Sequence, residues 1–180
     1  GKAFYYLALA GDKARQAYAT QEAISFYTQS IEASGQMVPE KDDGQLLAVY
    51  QGRGLVSMSL TRFDDAIADF HEMRRLAKAS NDVPMEAESL SHLAYCHFVK
   101  MSDDQIPFME QYALEARALS EKTGDQNILS KSLGMLGVVH ETRGNLPESI
   151  RVLRQSLEIC RREGYKGALV QDLFHLAQQA

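Results

Sequence analysis

Three side chains within six residues of this 180-residue chain could hold a metal ion: His92, Cys96 and His97. His92 and Cys96 stand four apart, which on a helix puts an imidazole and a thiol on one face. Their places in the pattern described below argue for packing instead. His97 and His140 hold equivalent positions, filled elsewhere by Ala14 and Ser57, and His92 and His175 share another. Nucleotide chemistry finds no better footing. Gly52-Arg53-Gly54 lacks the third glycine and the preceding strand of a dinucleotide fingerprint, and no lysine follows a glycine-rich loop. His140-Glu141 has no second histidine four residues on, as a zinc-protease helix requires. The acidic pairs Asp42-Asp43, Asp64-Asp65 and Asp103-Asp104 fall at turns or helix starts, where carboxylates favour the helix dipole. No serine or cysteine has a persuasive base. The sequence is therefore read as non-enzymatic, with no catalytic residue, no metal and no cofactor.

Composition narrows the class. With 45% hydrophobic and 24% charged residues the chain reads as one ordinary globular domain that needs no metal or disulfide to fold. Its net charge of −5 and pI near 5.5 are the wrong sign for a nucleic-acid binder. No apolar run approaches the ~20 residues of a membrane span, and no strongly basic amphipathic helix offers itself to a membrane surface. Arg151, Arg154, Arg161 and Arg162 are interleaved with Glu148, Glu158 and Glu163, the pattern of a solvated, salt-bridged helix face. Two cysteines, Cys96 and Cys160, suit free buried thiols in a reducing compartment, so the expected location is cytoplasmic. The stretch Phe4-Tyr5-Tyr6-Leu7-Ala8-Leu9-Ala10 after Lys2 has the outline of a short signal peptide, but the repeat claims the same residues. A start at Gly1 without methionine suggests part of a longer protein.

The elements are set by that repeat. Small residues recur at Gly11, Gly54, Ala94, Gly137 and Ala177, spaced by 43, 40, 43 and 40. Around them run Leu7-x2-Ala10-Gly11-x2-Ala14, Tyr50-x2-Arg53-Gly54-x2-Ser57, Leu90-x2-Leu93-Ala94-x2-His97, Leu133-x2-Leu136-Gly137-x2-His140 and Leu173-x2-Leu176-Ala177-x2-Ala180. Nine residues on, three copies continue as Ala23-x3-Tyr27, Ala66-x3-Phe70 and Ser149-x3-Leu153. Each copy reads as a helical hairpin in which a small residue lets the second helix cross the first closely. The spacing predicts nine helices, roughly 2–17, 20–34, 44–60, 63–80, 84–100, 104–122, 127–143, 146–163 and 167–180, and no strand. Pro39 falls between units, and Pro84, Pro107 and Pro147 in first turns, where a missing N–H costs nothing. Asn145 with Glu148 reads as a capping box; Thr20, Asp82 and Asp103 are further expected caps. The third copy carries about three extra residues near Lys100–Gln105 and offers Met109 and Ala113 on its second helix, so looser packing or a protruding turn is expected there.

In these motifs the chain resembles the tetratricopeptide repeat family, whose unit follows W-x2-L-G-x2-Y…A-x3-F…P. It departs by having no tryptophan and no closing proline, and its period exceeds the usual ~34. In this it resembles the long-repeat branch found in MalT-like activators and ATPase-linked signalling proteins. The resemblance implies an all-α, right-handed solenoid of antiparallel hairpins: a single domain over 1–180, with repeats at about 2–34, 44–80, 84–122 and 127–163 and a partial fifth at 167–180.

It also implies that the first helices line a concave groove for a protein or peptide. Carried onto this chain, the contact stripes are Ala8/Asp12/Arg15, Gln51/Leu55/Met58, Ser91/Tyr95/Phe98, Gly134/Val138/Glu141 and Phe174/Gln178. The apolar middle offers Tyr95 and Phe98 as anchors; the competing reading is that the winding buries these side chains. The Lys/Asn clamp for a C-terminal carboxylate is absent, since Asp12, Leu55 and Tyr95 stand where asparagine is wanted. The expected function is a protein–protein interaction or regulatory scaffold. The alternative is an effector-sensing arm, for a signal peptide or small ligand, of a bacterial transcriptional or ATPase-linked regulator. Leu169, Leu173 and Leu176 at one end, and Phe4 and Tyr5 at the other, leave apolar ends that a domain of the same parent chain, or a second copy in a homodimer, would cover.

Overall fold

A computed structural model describes residues 2–35, 43–100 and 102–166. Among these every regular element is helical: α1 (Lys2–Gln16), α2 (Thr20–Ser34), α3 (Asp43–Ser59), α4 (Phe63–Ser80), α5 (Val83–Lys100), α6 (Ile106–Thr123), α7 (Gln126–Thr142) and α8 (Leu146–Glu163), with one 3-10 turn, Asp103–Gln105, before α6. Every expected boundary in this range falls within about two residues. The ninth helix, Pro39, His175 and the stripe Phe174/Gln178 lie outside the described residues.

Local chemistry sets the ends. Asn145 caps α8 by accepting from the Glu148 N–H at 3.4 Å. The reciprocal half of the box is not formed: the Asn145 N–H goes to the His140 carbonyl at 2.9 Å, and Glu148 pairs with Arg151. Two expected caps are corrected. Thr20 is already inside α2, whose flanking residue is Ala19 with no side-chain cap. Asp103 opens the 3-10 turn and caps nothing, because the inserted residues interpose that turn between Ser102 and α6. Asp125, with its side chain accepting from the Ile128 N–H at 2.9 Å, caps α7.

The turns repeat as faithfully as the helices. Seven residues after the small residue, Tyr18, Thr61 and Gly144 have φ of 59°, 58° and 73°. After the second helices the left-handed residues are Asn81, Gly124 and Gly164. At these six ends the left-handed residue stops the helix by turning its N–H back onto the last carbonyls, whereas α2 ends at Gly35 in the right-handed region. Glycine does this without strain; Tyr18 and Thr61 do not.

The chain divides into two compact units, Gly1–Asp82 and Val83–Ala180. In the first, α1 packs on α2 and α3 on α4, with α1 and α2 both meeting α3. In the second, α5 packs on α6 and α7 on α8, with α5 and α6 both meeting α7. The close approach inside each hairpin is visible at the glycines. A Cβ on Gly11 would lie 2.7 Å from Tyr27, one on Gly54 2.7 Å from Phe70, and one on Gly137 2.5 Å from Leu153. The third hairpin has the opposite allocation of volume: Ala94 where the others have glycine, and Ala113 where they have a ring or leucine, both buried. Gly52 explains the Gly52-Arg53-Gly54 triplet, since its Cβ would come within 2.6 Å of the Tyr27 ring. Tyr27 is thus wedged between α1 and α3, and burying such a ring contributes about 2 kcal/mol or more.

Polar groups fix the register. Ser30 donates to the Phe4 carbonyl at 3.0 Å, and the equivalent Ser156 donates to the Ser130 carbonyl at 2.8 Å. Arg53 forks onto the buried Asp69 at 2.6–3.2 Å and reaches Thr28 at 3.1 Å, tying α3 to α4 and α2. Burial pushes the Asp69 carboxyl above its ordinary range, and Arg53 opposes that shift.

Candidate functional site

In each unit a hollow lies where its two first helices meet. In the first unit Tyr27 organises the surroundings. Its hydroxyl donates to Asp12 Oδ1 at 2.7 Å and accepts from Arg15 Nε at 3.3 Å. Burial, with the Asp12 bond adding to it, pushes the phenol up to about 12. Asp12 and Arg15, expected as groove residues, are therefore also partners of a core tyrosine. Arg15 of α1 and Leu55 of α3 line the same hollow of about 430 Å³, with Tyr18, Val56 and Ser59. Asp12, Gln51 and Met58 do not line it; Gln51 and Met58 are half-buried on α3.

The second hollow, about 300 Å³, collects Phe98 from α5 and Val138 from α7. Buried His97, Met109 and Val138 form its floor, half-buried Phe98, Gln105 and Ile106 its sides, and exposed Ser102, Asp103 and Thr142 its mouth. Tyr95 is 38% exposed, with its ring 6.2 Å from that of Phe98; Ser91 and Glu141 are half-buried, and these three lie outside the lining.

The three inserted residues of the third repeat build this mouth. They are drawn in by His97, whose Nδ1 stands 2.7 Å from Gln105 Oε1. With the amide oxygen facing the ring, Nδ1 is the donor. Gln105 then donates to Asp104 at 2.7 Å. The imidazole stacks on Phe108 and Tyr112 at centroid distances of 5.2 and 5.5 Å. Hydrogen bonds from Ser102 and Gln105 hold the Asp104 carboxyl below its ordinary range. The expectation that His97 packs between helices is met, and of the two outcomes expected at the insertion, looser packing or a protruding turn, the structure has an exposed 3-10 turn latched to His97. Ser102, Gln105, Ile106, Met109 and Thr142 were not among the expected site residues; the irregular spacing of the third repeat was the one signal for the first four, and Thr142 had none.

At His92 and Cys96 the structure favours packing. Cys96 is fully buried, and burial pushes its thiol up to about 12. His92 Nε2 faces Glu88 Oε1 at 3.6 Å. Among the described residues no three His, Cys, Asp or Glu side chains are grouped to hold a metal, and no described helix is long and apolar enough to cross a membrane.

No family model and no curated protein matches the sequence. Solved structures do match in fold. Aspartyl phosphate phosphatase F from Bacillus subtilis superposes with a TM-score of 0.80 at 15% identity, over 97% of this chain and 44% of that one. A signal transduction ATPase with a tetratricopeptide repeat sensor from Pyrococcus horikoshii gives 0.68 at 16% identity, over 97% and 26%. The chain has a tetratricopeptide-like fold. A third such neighbour, the Rap conjugation gene regulator of plasmid pLS20 in complex with the Phr* peptide, gives 0.67 at 14% identity, over 96% and 51%. This chain spans about half or less of each of these three structures. The tetratricopeptide-like hairpin accounts for the glycine, the large side chain and the turn after the first helix together, since in the first, second and fourth copies each lies at the same distance from the small residue.

Proposed function

We propose that the chain is a non-catalytic binding module that takes a peptide or short helix against the first helices of its hairpins, and so regulates a partner or an attached domain in the cytoplasm. The observation that carries this reading is that each hollow is lined from both first helices of its unit: Arg15 with Leu55, and Phe98 with Val138. Concave sites with apolar walls and a few polar groups suit side chains of a bound segment. The Rap regulator seen with a peptide has the same fold, which supports the reading. The residues assigned to binding are Asp12, Arg15, Gln51, Leu55 and Met58 in the first unit, and Ser91, Tyr95, Phe98, Val138 and Glu141 in the second. The sensor of the ATPase neighbour favours one variant of this function, in which the bound segment is an effector.

Selection of a phage-displayed random-peptide library on the chain tests the reading. Enriched peptides should bind in calorimetry and lose at least roughly tenfold, ~1.4 kcal/mol, on Leu55→Glu or Phe98→Glu, each verified as helical by circular dichroism. Absence of enrichment, or equal binding by both variants and the parent, overturns it.

A further inference from the structure

The hollow of the second unit has a feature that its counterpart lacks: an uncompensated carboxylate at its mouth. Asp104 is satisfied by Gln105 and Ser102. Arg143, next in sequence to the lining residue Thr142, is neutralised by a two-pronged pair with Glu110 at 2.6 Å. Asp103 is exposed, lines the hollow, and has no ion-pair or hydrogen-bond partner among the described residues. Below it the floor is apolar, with Met109 and Val138 3% and 4% exposed. The latch from His97 to Gln105 holds the turn from which Asp103 lines the hollow.

From this juxtaposition we infer that the hollow selects a peptide segment in which an aliphatic side chain is next to a lysine or arginine. The aliphatic group fills the space between Phe98, Ile106 and Val138, and the cation pairs with Asp103. A volume of about 300 Å³ suits one branched side chain with its backbone better than a folded surface. An anionic segment would meet Asp103 with no lysine or arginine on the lining, and like charges there are repulsive. This inference rests on the peptide-binding reading and adds the chemistry of the ligand to it.

The test selects the same random-peptide library on the whole chain and, in parallel, on Asp103→Lys. Asp103 is exposed and outside the core, so the charge reversal leaves the fold intact. The parent should enrich an aliphatic residue beside a basic one; Asp103→Lys should keep the aliphatic residue and exchange the basic neighbour for an acidic one. A synthetic peptide from the parent selection should bind Asp103→Asn roughly threefold more weakly, and the difference should shrink in high salt. An Ile106→Trp variant, which fills the hollow from its side, should lose the aliphatic preference. Peptides enriched without a basic neighbour, or with a charge preference unchanged by Asp103→Lys, overturn this inference and leave peptide binding standing. No enriched peptide overturns both.

Discussion

Gly54→Ala separates two physical effects of opposite sign. In a helix interior alanine is favoured over glycine by ~1 kcal/mol, so propensity alone makes the substitution stabilising. The structure predicts the reverse. The new methyl would lie 2.7 Å from Phe70 Cε1 and 2.9 Å from Cζ, about 1 Å inside an ordinary carbon–carbon contact. Phe70 is fully buried and cannot swing away. Overpacking of this kind costs ~1–3 kcal/mol, and the rigid ring puts Gly54→Ala at the upper end, for a net loss of about 2 kcal/mol. Phe70→Ala alone empties the site and costs ~3–5 kcal/mol. The double variant reproduces the pairing of small residues at Ala94 and Ala113 in the third hairpin. It should be more stable than Phe70→Ala by about 1 kcal/mol, because the clash is gone and the helix propensity is recovered. The coupling between the two sites is then ~3 kcal/mol. Urea unfolding followed by far-ultraviolet circular dichroism measures all four corners of the cycle. A stabilised Gly54→Ala, or effects that add within ~0.5 kcal/mol, would refute the argument that ring against glycine sets the helix separation.

Three further outcomes follow from named residues. Thr61→Asn should raise stability by about 0.5–1 kcal/mol in the same assay, since a β-branched residue at φ 58° is strained where asparagine is tolerated. Stability should fall as pH rises from about 9 toward 12: the unfolded chain loses the Cys96 and Tyr27 protons near 9.0 and 10.0, and the folded chain holds both to about 12. Tyr27→Phe should flatten the upper part of that decline, which thermal melts across the range would record. Arg53→Met should cost ~3–5 kcal/mol, because Asp69, 3% exposed, keeps its burial and loses the fork that offsets it; a loss below ~1 kcal/mol would mean that the pair adds nothing to a repacked core.

The course of the helices was legible because their punctuation is local. Pro84, Pro107 and Pro147 fall in first turns, Asn145 caps α8, and Gly11, Gly54, Ala94 and Gly137 sit inside first helices; all act within a few residues of themselves. Two of the expected caps failed for the same reason in reverse. Thr20 and Asp103 are good capping types, but the chain reaches α2 through Ala19 and α6 through an inserted turn, a choice made by packing. The site was legible only in part. The stripes that the tetratricopeptide resemblance implied named Arg15, Leu55, Phe98 and Val138, which line the hollows. The same stripes also named Asp12, whose carboxylate is occupied by Tyr27 from another helix.

What the sequence by itself determined is the repeat: all-helical hairpins, their lengths, and the exchange of glycine against a large side chain at three of four crossings. These follow from periodicity and steric volume, which a linear chain displays directly. Only the tertiary structure decided that Gly52 serves Tyr27 of the preceding hairpin, that Tyr18 and Thr61 turn through left-handed backbone, and that His97 latches Gln105 to build the mouth of a hollow. Each of these depends on which atoms meet across helices, and that is set by how neighbouring side chains share space once the hairpins have packed.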